Sequence, residues 1–228
     1  AIARAGFLKY KEKARSALVP PPPQDLVKYI GKAADEYRAR DDTRMNTMYR
    51  MRSFLEDHDI FGLGLDWQKM LEKTRLVNIL FGIMSSETIA IGIAAALKEL
   101  MDLRMRRAIP PLVVSFDEAH IIVPSGRKTI SGRVVRQLLR YGRHLGIGVI
   151  MITQRPSSVD PEAIGMPATR VFFALDPYEL KGLRILFSDL GEYIFSLIPR
   201  LQRGTAILTG TMDVIRHSIY VLSLIHIS

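Results

Sequence analysis

Residues 112–120 read LVVSFDEAH, a short apolar run that stops at two adjacent carboxylates, Asp117 and Glu118. The run is rich in β-branched residues and follows two prolines, which predicts a strand buried on both faces. Ligands of open α/β sheets bind outside the carboxyl ends of the strands. We therefore expect both carboxylates at a ligand-binding edge, while a strand that ends in a solvated turn is the alternative.

Two acids at such an edge suit a Walker B arrangement. In that site Asp117 would hold Mg²⁺ through water, and Glu118 would polarise the attacking water during nucleotide hydrolysis. The pattern is short, so the choice between this site and a solvated turn depends on the rest of the chain.

The composition narrows the classes of partner. The chain has 228 residues and a formal charge of +9, from 32 Lys and Arg against 23 Asp and Glu. This length allows one substantial core. The charge favours nucleic acid, a phosphate-rich ligand or an acidic membrane surface, with an inert basic surface as the alternative.

Other classes of site and location are disfavoured. The chain has no cysteine, which excludes a disulfide framework and a thiolate metal site and fits a cytoplasmic protein. Its five histidines are too far apart in sequence to form a local ligand pair, so no metal other than Mg²⁺ is indicated. The longest apolar stretch, around Ile89 to Leu97, is too short to span a bilayer, and no signal peptide opens the chain. Because the sequence begins at Ala1 within an amphipathic pattern, we expect a fragment or a processed piece.

Residues 1–73 are predicted to form a mostly helical section. A basic helix over residues 1–19 would end at four consecutive prolines, and apolar spacings of three and four residues predict a helix from Asp25 to Tyr37. A further helix is predicted at about residues 43–57, and a turn then leads to a last segment at residues 65–73. We interpret the apolar stripe of the third helix as core rather than as a partner-binding groove; it consists of Met45, Met48, Met51 and Leu55.

Residues 74–222 are predicted to form an α/β core, and residues 223–228 are a tail without an interpretation. A strand at Leu76–Phe81, a helix capped by Ser85 or Ser86 that runs to Arg107, and the Asp117 strand would make a right-handed parallel crossover. Further strands are predicted at residues 149–152 and 171–175, and helix at 177–198 with a break near Ser188. A closing hairpin would pair residues 205–208 with 215–222.

The helix predicted from Thr129 to Leu145 has two distinct faces. One face is apolar, and the second carries four arginines at spacings of three, four and three residues. These arginines cannot neutralise one another, so they need carboxylates or phosphates from elsewhere unless the face is simply solvated. They are Arg133, Arg136, Arg140 and Arg143.

Four stretches taken together resemble the carboxyl-terminal half of the HerA/FtsK superfamily of P-loop ATPases, in particular the archaeal HerA-type DNA translocases. They read VVSFDEAH at residues 113–120, YGRHLGIGVIMITQRP at 141–156, RVFFALD at 170–176 and LQRGTAILTG at 201–210. The resemblance covers roughly residues 65–222. It implies part of a RecA-like core, with a mostly parallel sheet flanked by helices.

The resemblance also implies an activity and an assembly. In that family a hexameric ring of identical subunits hydrolyses ATP with Mg²⁺, threads double-stranded DNA through its centre and works with a partner nuclease in DNA end processing and repair. By position, Asp117 is similar to the Mg²⁺-coordinating Walker B acid and Glu118 to the catalytic carboxylate. Gln154 resembles the polar sensor of the γ-phosphate, and Arg143 resembles the arginine finger offered to the neighbouring subunit's nucleotide.

Two features depart from the family pattern. No stretch matches the Walker A pattern G-x-x-x-x-G-K-[ST], and in the nearest approach, SGRKT at residues 125–129, Arg127 stands where the second glycine is needed. The family carries that loop upstream, so these residues alone should bind ATP poorly and be inactive. In addition, the segment before Ser85 reads NILFG where the family usually has an aspartate.

Three other functional hypotheses compete with that of a DNA translocase. A conjugation- or secretion-type ATPase of the same superfamily would move DNA or protein at a membrane. A non-catalytic fragment would serve only as a scaffold. The letters DEAH also name a helicase group, but the later glutamine and arginine motif of that group is not found in the sequence.

Overall fold

The structure is a computed structural model that describes residues 2–16, 24–57, 66–81, 84–183, 191–210 and 218–222. The chain divides into two compact units, Ala1–Val77 and Asn78–Ser228. Each unit is described by itself below.

The described part of the first unit is helical, as predicted. It contains α1 (Ile2–Ser16), α2 (Asp25–Glu36), α3 (Asp41–Asp57) and α4 (Trp67–Lys73). α1 packs closely on α2, because Gly6 has no side chain and a Cβ there would lie 2.6 Å from the Cα of Ile30. The proline run and the turn predicted before α4 lie outside the described residues.

The methionine stripe of α3 is not the core element that the sequence predicts. Met45 is 65% exposed, and the other members of the stripe, Met48, Met51 and Leu55, are half-buried. The reason is that α2 covers α3 from one side, where the Sδ of Met48 lies 3.4 Å from the Cβ position of Gly31. Among the described residues of this unit, no further element covers Met45.

The described part of the second unit combines helices with two small sheets. Its helices are α5 (Ser86–Met105), α6 (Ala119–Ile122), α7 (Ile130–Leu145), α8 (Pro161–Gly165), α9 (Pro177–Leu183) and α10 (Gly191–Leu197), with 3₁₀ turns at Pro156–Ser158 and Ile198–Arg200. Its strands are β1 (Leu112–Phe116), β2 (Ile147–Met151), β3 (Thr169–Phe172), β4 (Thr205–Gly210) and β5 (Ile219–Leu222).

β1 and β2 are parallel, and α7 connects them. Their register runs from Leu112 opposite Ile147 to Phe116 opposite Met151. The pairing continues past both strands, because the Ile152 N–H donates to the Phe116 carbonyl at 2.9 Å and the Ala119 N–H donates to the Ile152 carbonyl at 2.9 Å. The carboxyl ends of the two strands are therefore held side by side.

The main core lies between this sheet and the helices α5 and α7. Val135 and Leu138 of α7 are fully buried there, together with Leu97 of α5 and Phe116 of β1. Fully burying a side chain such as Leu138 stabilises the folded state by roughly 1.5–3 kcal/mol. The Thr129 hydroxyl fixes the start of α7 by accepting from the Gly132 N–H at 3.0 Å.

The prediction that the Asp117 strand is buried on both faces is wrong for the described residues, and its neighbour β2 is exposed on the same face. Val113 is 63% exposed and Ile150 is 51% exposed. The reason is that α5 and α7 pack in one cluster with Leu112, Val114 and Phe116. The opposite face has no cover from any described element of this unit.

The strand predicted at Leu76–Phe81 is also wrong, since residues 76–81 form no ladder within the described residues. A strand requires a neighbour for its backbone hydrogen bonds, and local sequence does not specify that neighbour. Phe81 instead packs on α5, where its ring lies 2.9 Å from the Cβ position of Gly92. The crossover predicted through α5 is therefore not formed, and the observed one is β1–α7–β2.

The prediction for α5 is nearly correct at both ends. The Ser85 hydroxyl accepts from the Thr88 N–H at 3.2 Å, and the helix ends at Met105, two residues before the predicted end. The side chain of Arg104, in the last turn of α5, bonds to backbone carbonyls outside that helix. Its Nε donates to the Leu145 carbonyl at 2.7 Å, and its guanidinium also donates to the Ile109 carbonyl. This side chain therefore joins the end of α7 to the segment that enters β1.

β3, β4 and β5 form an antiparallel sheet in that order. The predicted pairing of β4 with β5 is confirmed, while the residues between them lie outside the described part. β3 occupies Thr169–Phe172, slightly earlier than predicted. The described residues of the helical stretch predicted at 177–198 contain α9 and α10, and the predicted break near Ser188 falls outside the described residues.

Candidate functional site

The two carboxylates that follow β1 lie at the carboxyl end of the parallel pair, as the sequence predicts. Asp117 is exposed, and its Oδ1 accepts from the Glu118 N–H at 2.9 Å. This short local bond orients the carboxylate at the point where the strand ends. The other Asp117 oxygen makes no hydrogen bond within the described residues, so it is available to a ligand.

Glu118 has an unusual backbone conformation. Its φ of 50° and ψ of 52° lie in the left-handed region. Residues other than glycine seldom adopt this conformation, and those that do are often found at functional sites. This conformation turns the chain directly from β1 into α6. Oε2 of Glu118 is buried and makes no hydrogen bond among the described residues, although Nδ1 of His120 lies 3.2 Å away. Buried polar atoms in native proteins are almost always satisfied, so this oxygen is a candidate contact for a water, a metal ion or a ligand.

His120 connects the ends of the two parallel strands. Its Nδ1 lies 3.2 Å from Oε2 of Glu118 and 3.3 Å from Oγ1 of Thr153, which follows β2. The Thr153 hydroxyl also accepts from the Arg155 N–H at 3.1 Å. His120 and Thr153 were not predicted as site residues from the sequence. The available signal was a histidine two positions after the glutamate and a hydroxyl immediately before Gln154.

Gln154 is placed at the same edge as Glu118. It follows Thr153 at the end of β2, and its side chain is exposed, with no hydrogen bond in the part of the chain that the structure describes. The paired backbones of Phe116 and Ile152 bring the two strand ends together. Asp117, Glu118 and Gln154 therefore lie on one edge of the sheet.

Arg143 is not brought to that edge. It lies in the last turn of α7, and α7 ends at Gly146 immediately before β2 begins. Arg143 is therefore near the amino end of β2, while Glu118 follows the carboxyl end of β1. Its side chain is exposed and forms no ion pair among the described residues.

The four arginines of the α7 stripe fall into two groups, two in ion pairs and two exposed without an ion pair among the described residues. Arg136 pairs with Asp160 at 2.9 Å and lies 3.7 Å from Glu162, and Arg140 also pairs with Glu162. Asp160 in addition caps α8 by accepting from the Ala163 N–H. These two arginines thus use carboxylates from elsewhere in the fold, as expected. Arg133 is exposed like Arg143 and likewise has no ion pair within the described ranges.

The donor set at the edge fits a Mg²⁺ ion that is shared with a phosphate. Mg²⁺ takes oxygen ligands, keeps several waters and is bound through one or two carboxylates together with substrate phosphates. Asp117 and Glu118 supply such oxygens. Among the described residues there is no group of three or more His, Asp or Glu side chains that could enclose a metal ion alone. A water-mediated ion therefore fits the site better than a protein cage.

Comparison with known proteins identifies the segment that contains this site. Residues 93–186 match the family described as helicase HerA-like C-terminal. The resemblance to the HerA/FtsK superfamily is thereby confirmed. The HerA-like segment runs from within α5 to the residues just beyond α9, and it contains β1, α7 and β2.

Curated relatives are similar over less than half of the chain. A probable helicase of Methanocaldococcus jannaschii is 30% identical over 101 residues, which is 44% of this chain and 20% of that protein. The DNA double-strand break repair helicase HerA of Pyrococcus furiosus is 29% identical over 105 residues, which is 44% of this chain and 18% of that protein. The chain thus matches about a fifth of the length of these relatives.

Solved structures show a similar fold. VirB4 of Thermoanaerobacter pseudethanolicus aligns with a TM-score of 0.64 at 14% identity, over 97% of this chain and 62% of that one. The genome packaging NTPase B204 of Sulfolobus turreted icosahedral virus 2, solved with sulfate, aligns with a TM-score of 0.53 at 15% identity, over 72% of this chain and 74% of that one. The α/β class predicted for the core is confirmed. No helix in the described ranges has the length and apolar character needed to cross a membrane.

Proposed function

We propose that this chain is the Walker B-containing part of a P-loop ATPase subunit that drives a translocase or helicase on double-stranded DNA. The observation that carries the proposal is the end of β1, where a strained Glu118 holds a buried oxygen without a hydrogen bond beside the exposed Asp117. The HerA-like match of residues 93–186 supports the same reading.

The roles of the residues at this edge follow from their chemistry. Asp117 holds the ion of Mg²⁺-ATP through water, and Glu118 orients and polarises the attacking water. Gln154, an uncharged donor and acceptor at the end of β2, contacts the γ-phosphate. The ion, when bound, neutralises charge on the β- and γ-phosphates.

Arg143 acts on the nucleotide of a neighbouring subunit. It lies near the opposite edge of the sheet from Glu118, so it is badly placed for the nucleotide of its own subunit. A finger supplied in trans requires an outward-facing arginine that no carboxylate of its own chain neutralises. This proposal needs a homo-oligomer in which each site is completed by the next subunit, and a hexameric ring is the assembly that we propose.

Double-stranded DNA is the proposed track of the motor. The formal charge of +9 suits a polyanion. The relatives named DNA double-strand break repair helicase support a role in DNA repair. A role in DNA end processing with a nuclease as partner is proposed on the resemblance to the HerA-type translocases. A conjugation- or secretion-type motor is the second candidate, because the alignment with VirB4 covers nearly the whole chain, although that likeness shows the fold alone.

The experiment is ATP hydrolysis by the full-length protein, with and without linear duplex DNA, over a range of salt concentrations. We expect duplex DNA to stimulate turnover and the stimulation to fall steeply with rising salt, since phosphate contacts release counterions on binding. Glu118→Gln is the control for contaminating ATPases. Turnover that duplex DNA leaves unchanged would contradict the DNA translocase and favour the second candidate. If no ATP turnover depends on Glu118, only the hypothesis of a non-catalytic scaffold remains.

A further inference from the structure

We infer that His120 is a positioning residue that holds the carboxylate of Glu118 and couples it to the end of β2 through Thr153. The inference deepens the proposed function and rests on it. Its basis is the shared contact of His120 Nδ1, which lies 3.2 Å from Oε2 of Glu118 and 3.3 Å from Oγ1 of Thr153. The imidazole is partly buried, so these neighbours determine its orientation.

The hydrogen-bonding inventory selects one tautomer of the ring. A carboxylate oxygen can only accept, so the contact with Glu118 is favourable only if Nδ1 of His120 carries a proton. The Thr153 hydroxyl already accepts from the Arg155 N–H, but its second lone pair can accept from the same Nδ1. Nδ1 lies within hydrogen-bonding distance of both oxygens, but only the contact with Thr153 has hydrogen-bond geometry. One N–H thus has two competing acceptors.

This competition couples the glutamate to the segment that carries Gln154. When the Nδ1–H of His120 bonds to Thr153, the Glu118 oxygen is free of the ring. When it bonds to Glu118, the carboxylate is held. Thr153 immediately precedes Gln154, so a small displacement at the end of β2 shifts the balance between the two states. His120 therefore sets the orientation of Glu118 according to the position of the residue proposed to contact the γ-phosphate.

The test compares His120→Ala, His120→Asn and Thr153→Val with the wild type in the full-length protein. Asparagine can place its side-chain N–H near the position of Nδ1, so it should restore the contact that alanine removes. We expect His120→Ala to lower kcat for ATP about tenfold or more, the scale seen when residues that orient a catalytic ligand are lost, with KM nearly unchanged. His120→Asn should recover most of kcat. His144→Ala, which removes an exposed histidine on α7, is the matched control.

A second readout does not depend on turnover. ¹⁵N NMR of the histidine rings, with the His120 signals assigned by their loss in His120→Asn, reports which ring nitrogen carries the proton. We expect the Nδ1–H tautomer in the wild type and a changed Nδ1 signal in Thr153→Val. A double variant of His120→Ala and Thr153→Val should lose no more activity than His120→Ala alone, because both changes break the same link.

The outcomes separate this inference from the proposed function. If the wild type turns over ATP and Glu118→Gln does not, while His120→Ala is normal or His120→Asn is as impaired as His120→Ala, the inference is wrong and the proposed function stands. An Nε2–H tautomer in the wild type would also overturn the inference. If the wild type has no turnover that depends on Glu118, the proposed function and this inference fall together.

Discussion

At the scale of single residues, Arg143 and Arg133 form a natural pair for comparison. Both are exposed on α7 and both lack an ion pair among the described residues, but only Arg143 is proposed to contact a neighbour's nucleotide. An arginine finger contributes on the order of a thousandfold to turnover. We therefore expect Arg143→Ala to nearly abolish ATP hydrolysis by the assembled protein without changing its melting temperature.

Arg133→Ala is the matched control for this prediction, since it removes the same side chain from the same helix face. It should leave hydrolysis within about threefold of the wild type, well short of the effect of a finger. Normal ATPase rates in Arg143→Ala, or equal losses in the two variants, would show that Arg143 has no special role.

Glu87 gives a prediction about pH. Its pKa is lowered, first by the hydrogen bond from its own backbone N–H, then by Arg127 and by Ser86. A carboxylate with a lowered pKa in the folded state stabilises the protein at neutral pH, and this contribution is lost as the pH falls through that pKa. Glu87→Gln should therefore melt slightly below the wild type at pH 7, and the difference should disappear in acid.

The measurement for Glu87 is the melting temperature of both proteins between pH 7 and pH 3. The effect is small, because the ion pair with Arg127 is solvent-exposed. Glu99→Gln is the control, because Glu99 is exposed on the same helix and has no ion pair within the described residues. A melting-temperature difference between Glu87→Gln and the wild type that grows as the pH falls would contradict a stabilising role of the ionised Glu87 carboxylate.

The residues of the site were predictable from sequence only in part. An apolar run that ends in Asp117 and Glu118 predicts an edge position, because strand ends are where polar side chains leave a buried sheet. The pairing of His120 with Thr153 was not predictable, because it depends on the register of β1 against β2. The left-handed backbone of Glu118 was also unexpected, since no glycine marks the turn.

At the scale of elements, Gly142 decides how closely α7 approaches β2. A Cβ at this position would lie 2.7 Å from the carbonyl oxygen of Ile147, which is backbone and cannot move away cheaply. Forcing extra atoms into such a contact costs about 1–3 kcal/mol. Gly142→Ala should therefore lower the free energy of unfolding by about that amount, as measured by urea denaturation.

Gly165→Ala makes the same chemical change at the end of α8, where nothing lies within 4 Å of the added Cβ. It should be neutral or slightly stabilising, by at most about 1 kcal/mol, since alanine restricts the unfolded chain. Equal destabilisation of the two variants would mean that the close approach of α7 to β2 does not limit stability.

The elements themselves were predictable where the signal is local. Ser85 and Thr129 fix the starts of α5 and α7 through caps that the sequence displays, and Gly146 ends α7 in the left-handed conformation that glycine tolerates. The prediction of a strand at residues 76–81 was wrong, because a strand requires a neighbouring strand and the local sequence does not specify one. The prediction that both faces of β1 are buried was wrong for a similar reason, since apolar composition does not specify what covers each face.

At the scale of the whole molecule, the site is one part of a larger arrangement. The sequence contains no G-x-x-x-x-G-K-[ST] loop, so the 228 residues carry the acids proposed to hold a metal ion and water but no phosphate cradle of that kind. Glu118 and Arg143 lie near opposite edges of the parallel pair. This separation accords with a motor in which neighbouring subunits complete each other's sites. The β1 edge is thus proposed to be catalytic only within the assembled protein.

The most direct test of the central claim is the rate of ATP hydrolysis by the full-length protein with Glu118→Gln, beside ATP binding by the same variant. Glutamine keeps the shape of the side chain but is a poor base. We predict a loss of turnover of about a hundredfold or more with ATP still bound, since a positioned general base contributes at least that much. A Glu118→Gln protein that hydrolyses ATP at the wild-type rate would contradict the account.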